Sequence, residues 1–318
     1  MNFSTQKSAL VTGATGFVGR SLLPSLRSTG IEVTGLGRRS TPVDMPLDIN
    51  YVSCNILKPL EISGSFDVIV HAATDASAEL NSSNPRLMFE TILEGMSNVL
   101  DFAEAQGNCP VVLFTSSGAV YGDMPEDMTS FEEGCHLAPP SFDPKSAYAE
   151  GKRAAEFLLA EAASRGVCVP RLARLFAFSG TLLPVDRHFA IGNFVRDAVN
   201  QQSIEVRGDG KAIRSYLDQD DLAEWMIAIL SRGLSTSIYH IGSERAVSIA
   251  DLAHLVANRY EAVTSKSCTV EVKGQTSPLD GVNRYVPSTA KTRSELNLQE
   301  RVSLEDSIDK MIRAHLRD

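Results

Sequence analysis

Short apolar runs alternate with helix-like stretches through the first half of the chain. Ser8 to Thr12 predicts a buried strand, and Phe17 to Ser28 predicts a helix. The alternation continues with strands at 31–36, 66–71, 110–115 and 170–175, and with helices at about 87–105 and 146–163. Strands that alternate with helices form right-handed βαβ units and a parallel sheet covered on both faces. The pattern predicts an α/β fold with a doubly wound parallel sheet.

The pattern changes after about Leu175. A stretch with glycine and proline at 179–192 precedes helices predicted at about 193–201, 221–231, 249–260 and 303–316, and a short strand follows the turn at 207–211. We expect two domains, at 1–175 and 176–318. The second is a smaller C-terminal α/β lobe that closes over the carboxyl edge of the sheet, and the chain crosses back to the first near 210–245.

Composition narrows the classes of protein. The 318 residues include 30 Lys+Arg and 39 Asp+Glu, a net charge of −9, which argues against nucleic-acid binding. No apolar run reaches the roughly 18 residues that a membrane span needs, and the first residues do not resemble a signal peptide. The five cysteines form no CxxC pair, so we expect buried reduced thiols, a cytoplasmic location and no metal site.

Three glycines follow the first strand, in the sequence TGATGFVG at 12–19. Gly13 permits a tight turn, Gly16 lets the backbone approach a pyrophosphate, and Gly19 allows close packing of helix and strand. The free N–H groups at the start of the helix attract phosphates. This loop predicts a dinucleotide-binding (Rossmann) domain. Its predicted cofactor-binding residues are Gly13, Thr15, Gly16, Phe17, Val18 and Gly19.

The second strand ends in Gly37, Arg38 and Arg39. NAD-binding domains hold the ribose hydroxyls with an acidic side chain at this point. A carboxylate would repel a 2′-phosphate, whereas a guanidinium binds it with charge-assisted hydrogen bonds. Arg38 and Arg39 therefore favour NADP as cofactor, with NAD left open.

Tyr148 and Lys152 lie four residues apart in a predicted alanine-rich helix, so both side chains share one face. A neighbouring ammonium group, helped by a cationic nicotinamide, is expected to lower the pKa of the tyrosine. Tyr148 can then exchange a proton with a substrate oxygen while hydride moves to or from the cofactor. Ser117 follows a core strand and can hydrogen-bond the same oxygen, so Ser117, Tyr148 and Lys152 are the predicted catalytic residues.

Together these features resemble an extended short-chain dehydrogenase/reductase of the NAD-dependent epimerase/dehydratase family, of the type that modifies nucleotide sugars. The resemblance spans roughly 8–225 and rests on TGATGFVG, HAA at 71–73, TSSGAVYG at 115–122, YAEGK at 148–152 and RGDGKAIRSYLDQDDL at 207–222. It implies a UDP-, dTDP-, GDP- or CDP-linked sugar as substrate. It also implies a homodimer formed through the helices near 87–105 and 146–163.

The resemblance assigns further residues by motif. It places Asn55 and Ile56 at the adenine and Ala72 and Ala73 at the ribose and phosphates of the cofactor. It places Arg214 at the diphosphate of the nucleotide sugar, with Asn193 beside it. Other interpretations remain at this stage: Arg214 could pair with Asp218 or Asp221, Asn193 could be a helix cap, and structural roles are expected for His71, His188 and Trp225.

Gly118 and Ala119 narrow the reaction. The 4,6-dehydratases of the family carry an acid/base pair at these positions, and UDP-glucuronate decarboxylases usually carry a glutamate at 119. The epimerase-reductases that make GDP-fucose carry a cysteine at 119.

These departures leave hydride and proton transfer through Ser117, Tyr148 and Lys152, which serves either a C4-ketoreductase or a 4-epimerase. A 4-epimerase usually retains NAD with an acidic residue, whereas Gly37 and Arg38 favour exchangeable NADPH. We therefore prefer a reductase for the C4 ketone of an NDP-4-keto-6-deoxyhexose. A 4-epimerase and a non-catalytic NADP-binding sensor remain alternatives.

In the segment that matches the family's RxxN motif, which begins at Arg174, Ala177 stands in place of the asparagine. The chain therefore lacks one side chain that the resemblance would lead us to expect at the sugar.

Overall fold

A parallel sheet of seven strands forms the centre of the computed structural model, which describes residues 8–40, 49–74, 77–186, 189–235, 237–274 and 283–316. In chain order its strands are β1 (Ser8–Thr12), β2 (Glu32–Gly37), β3 (Asn50–Ser53), β4 (Val68–His71), β5 (Val111–Ser117), β6 (Val169–Leu175) and β11 (Ile238–Ile241). Their spatial order is β11-β6-β5-β4-β1-β2-β3, and every neighbouring pair is parallel. The order of β1 to β6 is that of a Rossmann sheet, whose ligands bind at the carboxyl ends of β1 and β4.

Helices cover both faces of this sheet. They are α1 (Phe17–Ser28), α2 (Ala78–Ser83), α3 (Pro85–Gln106), α4 (Ala147–Ser164) and α6 (Gln219–Arg232). Helices α1 and α6 pack together over one face, and α3 and α4 over the other. Alternate strand residues enter the two cores: Ala9 and Val11 pack with α1 and α6, whereas Leu10 packs with α3 and α4. Successive side chains of a strand point to opposite faces of the sheet, and helices cover both faces. These strands are therefore apolar at nearly every position.

A second lobe stands at the carboxyl edge of the sheet. Its helices are α5 (Ala190–Val199), α7 (Ile249–Thr264) and α9 (Leu304–His315), whereas α8 (Ala290–Leu296) packs against α6 and β11 of the sheet. Its short strands are β7 (Phe178–Ser179), β8 (Ile204–Val206), β9 (Ile213–Arg214), β10 (Leu217–Asp218), β12 (Val247–Ser248), β13 (Val270–Val272) and β14 (Arg284–Tyr285). Strand β9 lies between β12 and β14, and α5, α7 and α9 enclose a separate apolar core.

The sequence located the long elements to within a few residues and missed several short ones. Helix α1 has the predicted bounds, whereas α5 begins three residues before the predicted start. Strand β11 was not predicted, although it adds the last strand to the sheet beside β6. In the described ranges no helix combines the length and apolar character needed to span a bilayer.

Candidate active site

The glycine loop between β1 and α1 presses against the end of β4. Gly13 has a φ of +70°, and a Cβ there would stand 2.6 Å from the carbonyl oxygen of Ala72 and 2.8 Å from the nitrogen of Ala73. A Cβ at Gly19 would strike the carbonyl of Gly13, so α1 could not approach the loop. Gly16 is the N-cap of α1 and has no side chain to block the first turn. The cradle fits a pyrophosphate because it leaves the first helical N–H groups open.

The end of β2 contains no acidic side chain and has little room for one. A Cβ at Gly37 would lie 2.8 Å from the Tyr51 hydroxyl and 3.3 Å from Oγ1 of Thr15. Tyr51 donates a 2.8 Å hydrogen bond to the backbone carbonyl of Arg39, which fixes the turn that follows. The side chains of Arg38 and Arg39 are exposed, and neither forms an ion pair with another described residue. Nothing in the sequence indicated that Tyr51 lies at the turn after β2, beside the two arginines expected to favour NADP.

The residues expected at the adenine follow β3. Asn55 is exposed, and its Oδ1 accepts a 3.2 Å hydrogen bond from the N–H of Leu57. The Ile56 side chain is buried close to Gly95 of α3, and Asn98 donates a 2.8 Å hydrogen bond to the Ile56 carbonyl. Asn55 is therefore placed to contact a ligand, while Ile56 packs mainly against α3.

The three predicted catalytic residues come together at the end of β5. Lys152 is 2% exposed, and its Nζ lies 5.9 Å from the centre of the Tyr148 ring. Nζ donates a 2.6 Å hydrogen bond to the carbonyl of Thr115 and a 3.0 Å hydrogen bond to Oγ1 of Thr74. The Ser117 hydroxyl lies beside the Tyr148 hydroxyl, close enough to influence its pKa. The constellation can therefore present a hydroxyl pair to one substrate oxygen.

Burial dominates the protonation of this group. It raises the pKa of Tyr148, and the Ser117 hydroxyl beside it opposes that rise. It lowers the pKa of Lys152 to about 7, against the attraction of Glu156. The lower tyrosine pKa expected from the sequence is thus not a property of the protein without its cofactor. Removing an ammonium from water favours its neutral form, so Lys152 exerts less positive charge than an exposed lysine would.

Glu156 connects α4 to two strands. Its carboxylate accepts hydrogen bonds of 3.0 and 2.7 Å from the Arg174 guanidinium of β6, and a 2.5 Å hydrogen bond from Ser116 of β5. Arg174 also lies 4.7 Å from the centre of the Tyr121 ring, and the Tyr121 hydroxyl bonds Nε2 of His240 at 2.7 Å. The bonds from Ser116 and Arg174 to Glu156 hold α4 in register with the strand that carries Ser117.

An aromatic wall occupies the space beside Gly118. A Cβ at Gly118 would lie 2.5 Å from the Phe176 ring and 2.8 Å from the Tyr285 hydroxyl. The two rings pack with their centres 4.8 Å apart. No acidic side chain can occupy position 118 unless this wall moves. The only side-chain atom at Ala119 is a methyl carbon, so this pair offers no titratable group.

Arg214 has no acidic partner among the described residues. Its Nη1 donates to the carbonyls of Ile213 at 2.8 Å and Asn283 at 3.1 Å, and no carboxylate of the described residues pairs with it. Asp218 instead accepts a 2.5 Å hydrogen bond from Ser307, so that pairing alternative is wrong. Burial lowers the pKa of the Arg214 guanidinium, which indicates an uncompensated positive charge.

The alternatives for the neighbouring residues can now be resolved. Asp221 accepts hydrogen bonds from the N–H groups that follow α8, at 301 and 302, and does not pair with Arg214. Asn193 lies inside α5, whose N-cap is Phe189, so the helix-cap interpretation is wrong. The Asn193 Oδ1 accepts a 3.1 Å hydrogen bond from Arg196. The structure does not bring Asn193 into contact with Arg214 through any described hydrogen bond.

Other residues singled out in the sequence have structural positions. His71 is buried, bonds Oγ1 of Thr12 at 2.9 Å and stacks on Phe114, and Trp225 is fully buried in the core under α6. His188 lies outside the described residues. All five cysteines are free, but only Cys168 is buried, which corrects the expectation of buried thiols. Within the described ranges, no group of three or more metal-ligating side chains forms a metal site.

Comparisons with known proteins bear on this geometry. A model of the NAD dependent epimerase/dehydratase family matches residues 9–242. The chain belongs to that family. It is an enzyme of the family, as the resemblance in the sequence predicted.

Similar proteins extend the family's match to nearly the whole chain. UDP-glucuronic acid decarboxylase 1 of Arabidopsis thaliana is 29% identical over 311 residues, which cover 95% of this chain and 68% of that protein. The protein of the same name from Xenopus tropicalis is 29% identical over 315 residues, which cover 96% of this chain and 72% of that protein. The family thus includes curated decarboxylases that align with both lobes.

Solved structures of the family share the fold. UDP-glucose 4-epimerase of Thermotoga maritima, solved with UDP-glucose, has a TM-score of 0.82 at 18% identity and covers 98% of this chain and 99% of its own. dTDP-glucose 4,6-dehydratase of Streptomyces venezuelae, with NAD and TYD bound, has a TM-score of 0.80 at 22% identity and covers 98% and 97%. These neighbours confirm the predicted α/β fold with its Rossmann sheet.

Proposed function

We propose that this protein is an NADP(H)-dependent oxidoreductase that acts at C4 of a nucleotide-linked sugar. The preferred reaction is reduction of the C4 ketone of an NDP-4-keto-6-deoxyhexose. The observation that carries the proposal is the contrast at the end of β5. Ser117, Tyr148 and Lys152 are assembled, while the space beside Gly118 is closed by Phe176 and Tyr285.

In this proposal the chain's own residues move one proton and hold one oxygen. NADPH, when bound, supplies the hydride that is added to C4. The Tyr148 hydroxyl gives its proton to the ketone oxygen, which becomes the C4 hydroxyl. Ser117 hydrogen-bonds the same oxygen and then the phenolate left on Tyr148. Lys152 stabilises that phenolate before Tyr148 recovers a proton from solvent.

Arg214 supports a diphosphate-linked substrate. An unpaired, partly buried guanidinium is costly unless an anion joins it, and a diphosphate fits its planar donors. Arg214 and Tyr285 are register partners in β9 and β14, so their side chains lie on the same face. Since the Tyr285 hydroxyl reaches Ser117, a diphosphate at Arg214 would lie on the strand next to the residue that contacts the catalytic serine. Asn193, half-buried in α5, is proposed as a further contact.

Preference for NADP rests on the turn after β2. Gly37 supplies no carboxylate to repel a 2′-phosphate, and Tyr51 occupies the space that an acidic side chain would need. Arg38 and Arg39 carry exposed guanidinium groups there, and the hydrogen bond from Tyr51 fixes the backbone of Arg39. NAD remains compatible with the glycine loop, which contacts only groups that the two cofactors share.

A redox-neutral reaction is the second candidate. Relatives that are curated as UDP-glucuronic acid decarboxylases align over nearly the whole chain, and a 4-epimerase requires the same Ser117, Tyr148 and Lys152. Both reactions would oxidise C4 and then reduce it, with no net use of cofactor. The methyl group of Ala119 and the closed space at Gly118 disfavour decarboxylation, because neither position supplies the acidic group that the resemblance associates with that reaction. Gly37 and Arg38 favour an exchangeable NADPH over a retained NAD, and so favour the reductase over the 4-epimerase.

One panel of substrates separates these reactions. The purified protein is incubated with NADPH and NDP-4-keto-6-deoxyhexoses, and in parallel with UDP-glucose or UDP-glucuronate plus NAD or NADP. Loss of NADPH equal to the C4 alcohol formed, followed by absorbance and NMR, supports the reductase. Exchange of C4 epimers or release of CO₂ without net cofactor loss would replace it with the second candidate. Tyr148→Phe is the control for background reduction.

We also propose a homodimer formed through α3 and α4. Phe157 of α4 is 68% exposed and Leu87 of α3 is 44% exposed, so apolar side chains face outward from this helix pair. Light scattering on the eluted protein should give twice the chain mass, and Phe157→Asp should give the monomer. A wild-type monomer at micromolar concentration would contradict the proposal. The cytoplasmic location stays a prediction from the sequence.

A further inference from the structure

Tyr285 stands in the reaction site although it is 168 residues from Ser117 in the chain. It ends β14, the short strand that pairs with β9, and it is half-buried. Its ring packs against Phe176 and, at 6.3 Å between centres, against Phe131. The ring is therefore held by aromatic contacts that do not depend on its hydroxyl group.

The Tyr285 hydroxyl meets three polar groups. It lies 3.4 Å from Oγ of Ser117 and 3.4 Å from the carbonyl oxygen of Leu175, and the backbone N–H of Ala119 is close by. That N–H donates a 3.2 Å hydrogen bond to Oγ of Ser117. The phenol proton has only Ser117 and Leu175 as acceptors among the described residues.

Counting protons decides what this arrangement does. A serine hydroxyl has one proton to donate and two lone pairs. If Ser117 gave its proton to Tyr285, it would have none for Tyr148 or a substrate oxygen. If Tyr285 gives its proton to Ser117 or to the Leu175 carbonyl, the serine proton stays free for Tyr148 and the substrate oxygen. Donation to Ser117 also fills the second lone pair of Ser117, beside the one that accepts the N–H of Ala119, and so fixes the direction of the serine proton.

We infer that Tyr285 is a positioning residue for the proposed reaction, because its phenol donates to Ser117 and so orients the Ser117 proton toward Tyr148 and the substrate oxygen. The inference rests on the proposed function for the identity of the substrate. Tyr285 is not itself the acid, since Tyr148 holds the proton that the substrate receives. Burial raises the pKa of Tyr285 above its ordinary value, so the phenol keeps its proton throughout the working range of pH.

The test compares two phenol deletions in one aromatic cluster. Tyr285→Phe removes the hydroxyl and keeps the ring between Phe176 and Phe131. Tyr121→Phe is the matched control, because Tyr121 belongs to the same cluster but its hydroxyl bonds His240. Tyr285→Phe should lower kcat about tenfold, the loss of one hydrogen bond, with NADPH affinity unchanged. An equal loss in Tyr121→Phe, or no loss in Tyr285→Phe, would overturn the inference.

A double-mutant cycle identifies the route of the effect. In a Ser117→Ala background, Tyr285→Phe should cause no further loss, because the serine through which it acts is absent. Losses that multiply would overturn the inference. The pH profile of kcat should also shift: the basic limb reports Tyr148, whose pKa should rise when Ser117 donates less well. Besides Tyr148, the titratable or charged groups around this pair are Lys152 on α4, Arg214 on β9, and Tyr121 and His240 behind Phe176.

A substrate-free measurement separates this inference from the proposed function. Phenolate absorbance of the NADP-bound protein is titrated with base, and the contribution of Tyr148 is obtained by difference from Tyr148→Phe. Tyr285→Phe should move that titration to higher pH, and Tyr121→Phe should not. If no 4-keto sugar is reduced but this shift occurs, the proposed substrate is wrong and the role of Tyr285 stands. An unmoved titration would reject the role whatever the substrate.

Discussion

The ammonium group of Lys152 lies 2.6 Å from the backbone carbonyl oxygen of Thr115. This contact sets the register between α4 and β5. Four residues back along the helix is a rise of about 6 Å, and two residues forward along the strand is about 6.6 Å. Once Lys152 is fixed at Thr115, Tyr148 therefore comes to lie at Ser117. The four-residue spacing of Tyr148 and Lys152 thus matches the distance between Thr115 and Ser117 in the strand as well as one turn of the helix.

Replacing Tyr148 with phenylalanine tests the proton transfer. The ring remains in place, so folding and cofactor affinity should be preserved. Turnover should fall by at least about 10²-fold, as is typical when acid catalysis is removed. Steady-state rates and NADPH binding isotherms measure the two effects. A variant with near-normal turnover would refute the role of Tyr148.

Arg38→Asp tests the preference for NADP. The wild type should bind NADPH more tightly than NADH by about ten- to a hundredfold, the effect of a charge-assisted phosphate contact. The variant should lose or reverse that preference. Lys266→Asp makes the same change of charge on an exposed residue after α7, far from β2, and should leave the preference intact. Isothermal titration measures all three proteins, and equal wild-type affinities for the two cofactors would contradict the prediction.

Gly118→Ala tests the aromatic wall. The new methyl group would overlap the Phe176 ring, so we expect destabilisation of about 1–3 kcal/mol, as for other overpacked sites. Adding Phe176→Leu should recover part of that loss. Gly134→Ala is the matched control, since a Cβ at Gly134 meets no atom within 4 Å. Urea unfolding compares the variants. An unchanged free energy of unfolding for Gly118→Ala would mean that Phe176 and Tyr285 can move aside at little cost.

Glu156→Gln tests the network beneath α4. The substitution leaves the buried Arg174 without a counterion, at a cost of about 3 kcal/mol in the free energy of unfolding. Glu90→Gln removes the partner of Arg86 from an exposed pair and should change stability little, because water screens that pair. Equal effects of the two substitutions in urea unfolding would show that burial of the Arg174 pair is unimportant.

Two buried histidines predict a loss of stability in mild acid. Burial lowers the pKa of His71 and of His240 to about 3 each, whereas an unfolded histidine titrates near about 6.5. Below about pH 6.5 the unfolded chain binds protons that the folded chain does not. The free energy of unfolding should therefore fall with decreasing pH, by up to about 1.4 kcal/mol per pH unit for each histidine.

Urea unfolding at several pH values measures this slope. His240→Gln should be less stable than the wild type near neutral pH, because it loses bonds to Tyr121 and Ser288. Its stability should nevertheless fall less steeply with acid, since one of the two titrating groups is gone. Parallel curves for the variant and the wild type would contradict the prediction.

The sequence predicted the parts of the molecule that local patterns encode. The spacing of apolar residues along the chain located β1, α1 and α4 to within a residue or two. The glycine loop, Ser117, Tyr148 and Lys152 each belong to a continuous sequence motif. Tyr51, Glu156 and Tyr285 could not be found in this way. Their partners are distant in the chain, and nothing in a two-residue strand such as β14 distinguishes Tyr285 from a loop residue. The helix-cap alternative for Asn193 and the expectation of buried cysteines were wrong, because the start of a helix and the burial of a thiol depend on packing that composition does not reveal.

The sheet order has a consequence for dividing the protein. Strand β11, at 238–241, covers β6, although the two are separated by much of the second lobe. A fragment that stops at 175 would keep the glycine loop and the catalytic helix but leave β6 as an open edge with unpaired N–H and C=O groups. Such edges recruit other chains. A truncated version should therefore aggregate even though its nucleotide-binding half is nominally complete, and any chimera with a relative must exchange β11 together with the first six strands.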